Sequence, residues 1–206
     1  KADVDLHIIY AASGNKGSDN TGQNLQGKSL AKYRQNEVHN ALLILGMTTD
    51  LQKSNVEFLN FDDGTIAKNS HLISHKILQK IQQLKPTEVF TFDPGGITGH
   101  SDHIAIGQAT SLTFRQAGIA SQLVYISRSK QRALQLESSL TKFGVNKYRV
   151  KAISHSENIR KIDVSHFQQQ ILSSVEAHKS QFSKAILDAW NEFVINTTYE
   201  EFVLVE

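Results

Sequence analysis

The sequence predicts an α/β fold of the Rossmann-like type, in which a doubly wound, mainly parallel sheet carries helices on both faces. The first observation is that short apolar runs suited to strands alternate with helical stretches along most of the 206 residues. The second is that a helix separates successive strands, which is the connection that parallel strands require. The composition, 39% hydrophobic and 20% charged, is ordinary for one globular domain. We therefore expect residues 1–206 to form a single α/β domain.

The first half of the chain contains three predicted strands and two predicted helices. Val4 to Ala12 begins in alternation and ends in an apolar run, as a strand buried on at least one face does. After a polar loop from Ser13 to Lys28, apolar residues near a 3.6-residue period predict a helix from Ser29 to Leu45, with Gly46 as its stop. The same signals predict a strand over 56–61, a helix over 71–84 and a strand over 88–92.

The second half is predicted to continue the alternation and then to end in helix. A glycine-rich loop leads into a helix from about Asp102 to Ala117, which Gly118 ends, and then into a strand from Gln122 to Ser127. Further along we expect a helix over 134–140 and a short strand over 148–153. A long helical pattern then runs from Ser165 through Phe193 and is predicted to pack across one face of the sheet.

Composition and charge exclude several kinds of site and partner. Because the chain has no cysteine, a transition-metal site would have to be built from His, Asp and Glu. The net charge of +2 comes from residues spread along the chain, which gives no support for binding to nucleic acid or to a membrane surface. The longest apolar runs are far shorter than the roughly 20 residues of a membrane span, and we expect a cytoplasmic protein. The sequence carries no signal for the oligomeric state.

The segment from Phe90 to His103 concentrates groups that bind metals and move protons. Gly95, Gly96 and Gly99 allow the backbone to approach a ligand closely, and the loop follows a strand at the edge where α/β sheets bind their ligands. The side chains His100, Asp102 and His103 then supply two imidazoles and a carboxylate within four positions.

These side chains allow more than one assignment. His103, at the start of a helix, is a candidate ligand of a metal such as zinc. His100 either ligates as well or donates a proton, and Asp102 either sets the tautomer of His100 or orients His103. In the alternative, neither histidine has a catalytic or metal-binding role, and the two side chains only cap the helix and contact solvent.

The stretch Phe92-Asp-Pro-Gly-Gly-Ile-Thr-Gly-His-Ser-Asp-His103 closely resembles the signature of the LmbE-like, or PIG-L, deacetylases, which remove acetyl groups from N-acetylglucosaminyl conjugates. Four other stretches resemble family segments in the same order, so that the resemblance covers nearly the whole chain. They are Tyr33-Arg-Gln-Asn-Glu37, Phe58-Leu-Asn-Phe-Asp-Asp-Gly64, Ile162-Asp-Val-Ser165 and Ala177-His-Lys-Ser-Gln181.

The resemblance implies a Rossmann-like fold, a divalent metal such as Zn²⁺ or Fe²⁺, and a small-molecule N-acetyl amino sugar conjugate as substrate. It implies that His103 ligates the metal, that His100 is a general acid or oxyanion stabiliser, and that Asp102 supports His100. It also implies that Arg34 contacts the substrate. Gly95 and Gly96 are expected to line the substrate site.

The sequence departs from the family at its N-terminal side. The family begins with a strand ending in Ala-His-Pro-Asp-Asp-Glu, whose His and second Asp are the other metal ligands and whose first Asp is the general base. Nothing in residues 1–206 resembles this motif, and Lys1 to Tyr10 corresponds to the family's second strand. We therefore expect the first strand, the motif and the first helix to be missing, the metal to be weakly bound or absent, and this polypeptide to be inactive alone.

Two alternative functions remain. Gly22-Gln-Asn-Leu-Gln-Gly-Lys-Ser29 fits the phosphate-loop pattern of nucleotide-binding proteins, although a phosphate loop leaves its strand directly and polar residues intervene here. A non-catalytic sugar-binding relative would keep Arg34 and the pocket without the metal.

Other polar residues are expected to have structural roles. Asp62 and Asp63 are expected to form a turn, and His178 is expected to lie at the rim of the site or to be structural. Glu37 is placed where it could form an ion pair with Arg34.

Overall fold

The computed structural model describes residues 4–47, 55–146 and 159–205, and the chain divides into two compact units. Unit 1 consists of Lys1–Asp63 and Gln169–Ser183, and unit 2 consists of Gly64–Gln168 and Lys184–Glu206. In the described residues each unit contains one sheet. The predicted strand over 148–153 lies outside the described residues.

Unit 1 is a parallel strand pair with helices. Strand β1 (Ile8–Ala12) pairs in parallel with β2 (Val56–Phe61), and the ring of Tyr10 stacks on that of Phe58 with centroids 5.3 Å apart. Helix α1 (Gly27–Ile44) connects them and buries one apolar face, which holds Leu30, Val38, Ala41 and Leu42. All but the first residue of α6 (Gln168–Glu176) also belongs to this unit.

Unit 2 contains a four-stranded mixed sheet in the order β3-β4-β6-β5. Strands β3 and β4 are parallel, and β6 is antiparallel to both β4 and β5. Its strands are β3 (Glu88–Phe92), β4 (Gln122–Ile126), β5 (Ile159–Asp163) and β6 (Tyr199–Val205). Its helices are α2 (Ser70–Leu84), the four-residue turn α3 (Gly96–Gly99), α4 (Ser101–Ala117), α5 (Lys130–Lys142) and α7 (Lys184–Ile195), with a 3₁₀ turn at Ser165–Phe167.

The α/β alternation predicted from the sequence is confirmed, and the single, mainly parallel sheet is corrected. The described strands form two sheets, and the last two strands run antiparallel to their partners. The long helix expected from Ser165 to Phe193 is three separate pieces. It is interrupted around Ser180 because the amide of this residue donates to the Glu37 carboxylate instead of to a helical carbonyl.

Helix α4 packs directly against the backbone of β3 at Gly107. A Cβ atom added to Gly107 would lie 2.7 Å from the carbonyl oxygen of Phe92, a distance that real Cβ atoms do not reach. The close approach places the start of α4 next to the end of β3, where the histidine loop lies. Glycine at this helical position is therefore explained by packing.

We expect the variant Gly107→Ala to lower the free energy of unfolding by about 1 to 2 kcal/mol, since the clash outweighs the gain of about 1 kcal/mol in helix propensity. Urea denaturation followed by circular dichroism measures the change. Gln108→Ala, at the exposed neighbouring position, is the control and should be nearly neutral. If Gly107→Ala were as stable as the wild type, α4 and β3 would be able to move apart with no loss in the free energy of unfolding.

No helix in the described part of the chain is both long enough and apolar enough to cross a membrane.

Candidate functional site

The loop that follows β3 is held by the carboxylate of Asp93. This side chain is 3% exposed, and its Oδ1 accepts hydrogen bonds from the amides of Gly95 (2.7 Å) and Ile97 (3.5 Å). Its Oδ2 accepts from the hydroxyl of Ser127, the residue after β4. The buried carboxylate thus joins the ends of two neighbouring parallel strands, at the edge of the sheet where α/β proteins place their ligands.

The backbone of the loop takes left-handed conformations at two successive residues. Gly96 has φ 66°, and Ile97 has φ 59°, which is uncommon for a β-branched residue. A Cβ atom at Gly96 would lie 2.9 Å from the amide nitrogen of Ile104, so only glycine fits where the loop passes the first turn of α4. Strained backbone of this kind persists where the surrounding structure holds it, often at functional sites.

His103 lies in the first turn of α4 with a defined tautomer. Its ring stacks on Phe92 with centroids 4.3 Å apart and an angle of 4° between the planes. Its Nδ1 is 3.2 Å from the carbonyl oxygen of Gly96, which can only accept, so Nδ1 carries the proton and Nε2 carries a lone pair. Burial lowers the pKa of His103, and the neutral ring is favoured at neutral pH.

His100 is the N-cap of α4 and has the opposite tautomer. Its Nδ1 accepts a hydrogen bond from the amide of Asp102 (3.2 Å), which leaves the proton on Nε2. The rings of His100 and His103 have centroids 5.2 Å apart. The loop therefore presents two neighbouring imidazoles, one with a free donor and the other with a free acceptor.

The carboxylate of Asp102 contacts neither imidazole through the hydrogen bonds of the described residues. Its Oδ2 accepts from the amide of Gly64 at 2.7 Å, and its Oδ1 accepts from that of Ile66 at 3.3 Å. This differs from the expectation that Asp102 sets the tautomer of His100 or orients His103. The acid instead holds the turn before α2 against the start of α4, and its backbone amide sets the tautomer of His100.

The histidine loop does not complete a metal site by itself. A catalytic zinc ion takes three protein ligands, and residues 4–47, 55–146 and 159–205 contain no group of three His, Asp or Glu side chains that could hold a metal. His103 supplies one suitable nitrogen, held by a backbone carbonyl as metal-binding histidines are. A Zn²⁺ or Fe²⁺ site therefore does not fit the described residues alone.

Arg34, the predicted substrate contact, belongs to unit 1 and organises the loop after β1. Its Nη1 donates to the carbonyl of Gly14 (2.8 Å), its Nη2 to that of Ser18 (3.0 Å), and its Nε to the hydroxyl of Ser180 (3.3 Å). These bonds use three of its five N–H groups. The other two N–H groups form no hydrogen bond with the described residues.

Glu37 bonds to Ser180 and not to Arg34, contrary to the expected ion pair. Its Oε1 accepts from the Ser180 amide (2.6 Å) and its Oε2 from the Ser180 hydroxyl (2.7 Å), and both residues are buried. The carbonyl of Ser180 accepts from the backbone and side chain of Asn20. Every polar group of Ser180 is thus bonded, and this residue joins α1, the loop after β1 and the segment after α6.

His178 lies beside this junction as a neutral ring. The side-chain amide of Gln181 donates to its Nδ1 at 3.0 Å, which leaves the proton on Nε2. Burial is the main cause that lowers the pKa of His178. Glu37 opposes this effect and Arg34 adds to it.

The lowered pKa of His178 predicts a loss of stability in mild acid. The unfolded chain takes up a proton at His178 near pH 6.5, before the folded chain does, so this contribution is complete above about pH 6.5 and falls as the pH drops below it. We expect His178→Gln to show a shallower fall between pH 7 and pH 5. Urea midpoints measured across this range test it, and a wild-type slope kept by the variant would contradict it.

Several amides in and beside the loop that matches the phosphate-loop pattern are already bonded within the chain. The carboxylate of Asp19 accepts hydrogen bonds from the amides of Thr21 (2.8 Å) and Leu25 (2.9 Å), and the Leu25 bond is the largest cause that lowers its pKa. An anionic side chain therefore lies where a phosphate loop would hold phosphate. The geometry argues against the nucleotide-binding alternative.

The residues that hold the histidine loop carry weaker sequence signals than the histidines themselves. Asp93-Pro-Gly is a turn pattern whose side chain commonly bonds to following amides, and this signal could have identified Asp93. No local pattern indicates the bonds of Ser127 and Ser180, because their partners lie 34 and 143 residues away. Asp63 does more than form the expected turn, because its carboxylate also accepts hydrogen bonds from the amides of Gly14 and Lys16.

Known proteins resemble this chain in sequence over its first half and in fold over nearly its whole length. The family model described as PIG-L, GlcNAc-PI de-N-acetylase, matches residues 1–114. Among curated protein sequences no significant match was found.

Three solved structures show the same fold. The N,N'-diacetylchitobiose deacetylase from Pyrococcus horikoshii, solved with an inhibitor, is 17% identical with a TM-score of 0.63 over 97% of this chain and 73% of that chain. A deacetylase of the teicoplanin biosynthetic pathway is 14% identical with a TM-score of 0.59, covering 97% and 98%. A conserved protein from Thermus thermophilus is 18% identical with a TM-score of 0.56, covering 97% and 94%.

Proposed function

The chain belongs to the PIG-L, or LmbE-like, deacetylase family, and from this membership we propose that it serves in the hydrolysis of the acetamido group of a small N-acetyl amino sugar conjugate. The observation that carries the proposal is the pair of neighbouring imidazoles in opposite tautomers at His100 and His103. One ring offers a hydrogen-bond donor and the other a metal-binding nitrogen, and amide hydrolysis uses both.

The hydrogen bond at Nδ1 of His100 favours one of the two roles that the resemblance implies for this residue. A second proton on the ring would have to bind at Nδ1, where the Asp102 amide already donates, and would break the N-cap. We therefore propose that His100 donates a hydrogen bond from Nε2 to the carbonyl oxygen as negative charge develops on it. Gly95 and Gly96 allow the backbone of the loop to approach the sugar. For Arg34, which belongs to unit 1, family resemblance alone supports a substrate contact.

We propose that residues 1–206 supply one metal ligand, His103, and lack the Ala-His-Pro-Asp-Asp-Glu motif that supplies the other ligands and the general base in the family. The support is that a catalytic zinc needs three protein ligands, and the described residues contain no group of three His, Asp or Glu side chains that could hold one. The polypeptide of residues 1–206 is then a single deacetylase-like domain that is inactive, or nearly so, when isolated.

The experiment compares purified residues 1–206 with a longer chain to which a family first strand and helix have been fused. Acetate release from N-acetylglucosamine conjugates is measured with and without added Zn²⁺, and zinc binding is measured by calorimetry. We expect residues 1–206 to release acetate only at the background rate and to bind zinc weakly. The fusion should release acetate above background and bind zinc more tightly. Substantial turnover by residues 1–206 alone would refute the proposed inactivity.

Two controls separate the deacetylase from a sugar-binding relative. His103→Ala in the fusion should weaken zinc binding, whereas His71→Ala, on an exposed helix position, should not. If the fusion binds zinc and an N-acetylated sugar but releases no acetate, the chain is a sugar-binding relative and the deacetylase proposal fails.

A further inference from the structure

The hydroxyl group of Thr98, in the turn α3, contacts both histidine residues of the loop. Its Oγ1 lies 3.3 Å from Nδ1 of the His103 ring and 3.4 Å from the backbone amide nitrogen of His100. It also lies 3.5 Å from the carbonyl oxygen of Gly96, the atom to which Nδ1 of His103 is bonded. One side chain therefore touches the backbone of the first histidine and the ring of the second.

The tautomer of His103 fixes the direction of each hydrogen bond at Thr98. Because Nδ1 of His103 carries the proton, it donates to the Thr98 hydroxyl as well as to the carbonyl of Gly96. The amide of His100 donates to the same hydroxyl, whose own proton is then directed to the carbonyl of Gly96. A hydroxyl group has one donor and two acceptor positions. At Thr98 all three are used inside the loop.

The stack on Phe92 leaves one motion of the His103 ring open. Parallel stacking, with an angle of 4° between the planes, fixes the plane of the ring. A half-turn about the Cβ–Cγ bond keeps this plane but exchanges Nδ1 with the carbon Cδ2, and Nε2 with Cε1. The torsion about this bond is broad and roughly two-fold in histidine. The contacts at Nδ1, from Thr98 and from the carbonyl of Gly96, therefore decide which way the ring faces.

We propose that Thr98 is a positioning residue, whose hydroxyl holds the His103 ring in the orientation and tautomer that leave Nε2 unprotonated beside the ring of His100. The second acceptor at Nδ1 matters because water can donate to this nitrogen or accept from it, and each acceptor held by the chain favours the protonated form. Thr98 acts through His103 and is not itself a catalytic residue. The statement that the two rings act on an acetamido group rests on the proposed function.

Nuclear magnetic resonance of the histidine ring nitrogens tests the proposal on residues 1–206 without any ligand. The chain carries isotope-labelled histidine and is measured at about pH 8, above the ordinary pKa of a histidine ring. Thr98→Val removes the hydroxyl and keeps the size of the side chain, Thr98→Ala is a second variant without the hydroxyl, and Thr98→Ser keeps it. Thr98 is exposed, so these changes leave the core intact.

The matched control is Thr87→Val, which changes an exposed threonine just before β3 in the same unit. Circular dichroism melting checks that each variant folds. The indole signal of Trp190, the single tryptophan of the chain, reports on unit 2 away from the loop and should stay unchanged in every variant.

In the wild type and the Thr87 control, the two ring nitrogens of His103 should give well-separated signals, one protonated and one unprotonated. In Thr98→Val and Thr98→Ala the two signals should move toward each other, because the ring turns and the second tautomer becomes populated. Thr98→Ser should restore the wild-type separation. If the signals of His103 do not change in the folded Val or Ala variant, or if they change equally in the Ser variant, the inference is overturned.

Acetate release by the fusion chain separates this inference from the proposed function. Thr98→Val in the fusion should lower kcat by about tenfold or more with little change in KM, because the ring is misplaced while the sugar contacts remain. Thr87→Val should change neither constant. Equal kcat with and without the hydroxyl also overturns the positioning role. If the ring signals respond as expected but the fusion releases no acetate, Thr98 still positions the ring and the proposed function fails.

Discussion

Replacing Glu37 with alanine is expected to lower the free energy of unfolding by about 3 to 5 kcal/mol. The substitution leaves the amide and the hydroxyl of Ser180 without their acceptor, and Ser180 is completely buried. Urea denaturation measures the loss, and hydrogen exchange of the Ser180 amide localises it. Because Ser180 also bonds Arg34 and Asn20, the loop after β1 should be cut faster by trypsin at the exposed Lys16.

Two further variants make this result specific. Glu37→Gln keeps one acceptor and should fall between the wild type and the alanine variant. Glu176→Ala removes an exposed acid from α6 and should change stability by less than about 0.5 kcal/mol. A Glu37→Ala chain that unfolds at the wild-type urea concentration would mean that Ser180 finds other partners.

The variant Asp102→Ala should cost about 2 to 4 kcal/mol and should also disorder the histidine loop. The carboxylate accepts from two backbone amides, Gly64 and Ile66, and lies in the first turn of α4, where the helix dipole favours an acid. Denaturation measures the stability, and NMR of the His100 and His103 rings reports the loop.

Asparagine at position 102 keeps one oxygen and should recover part of the stability, and Glu137→Ala on the exposed face of α5 serves as the neutral control. If Asp102→Ala were as stable as the wild type but altered only the ring signals of His100, the carboxylate would be acting on the histidine. The structure places its hydrogen bonds elsewhere.

The order of strands and helices follows from local patterns, and the sheet arrangement does not. Apolar periodicity and stop signals such as Gly46 and Gly118 depend on near neighbours, so the helix and strand positions from β1 to α5 agree with the structure to within a few residues. Strand β6 (Tyr199–Val205) is not predicted from the sequence, because two adjacent acids and a run of four apolar residues give no alternation after the helical pattern that precedes it. Its antiparallel pairing depends on β4 and β5, which are distant in sequence.

The candidate site also has features that local sequence predicts and features that only the fold decides. Glycines, histidines and a strand end within fourteen residues were enough to identify the loop from Phe90 to His103, because the whole group is local. The tautomers of the two rings were open in the sequence, since the carbonyl of Gly96 and the amide of Asp102 decide them through the path of the backbone.

The sequence by itself determined the α/β class, the family and the position of the histidine loop, since these depend on residue type and local spacing. Only the tertiary structure decided what the buried carboxylates do: Asp102 holds a turn, Glu37 holds Ser180, and Asp93 joins two strand ends. The physical reason is that a buried charged group must find hydrogen-bonding partners wherever the folded backbone brings them, and sequence distance carries no information about where that is.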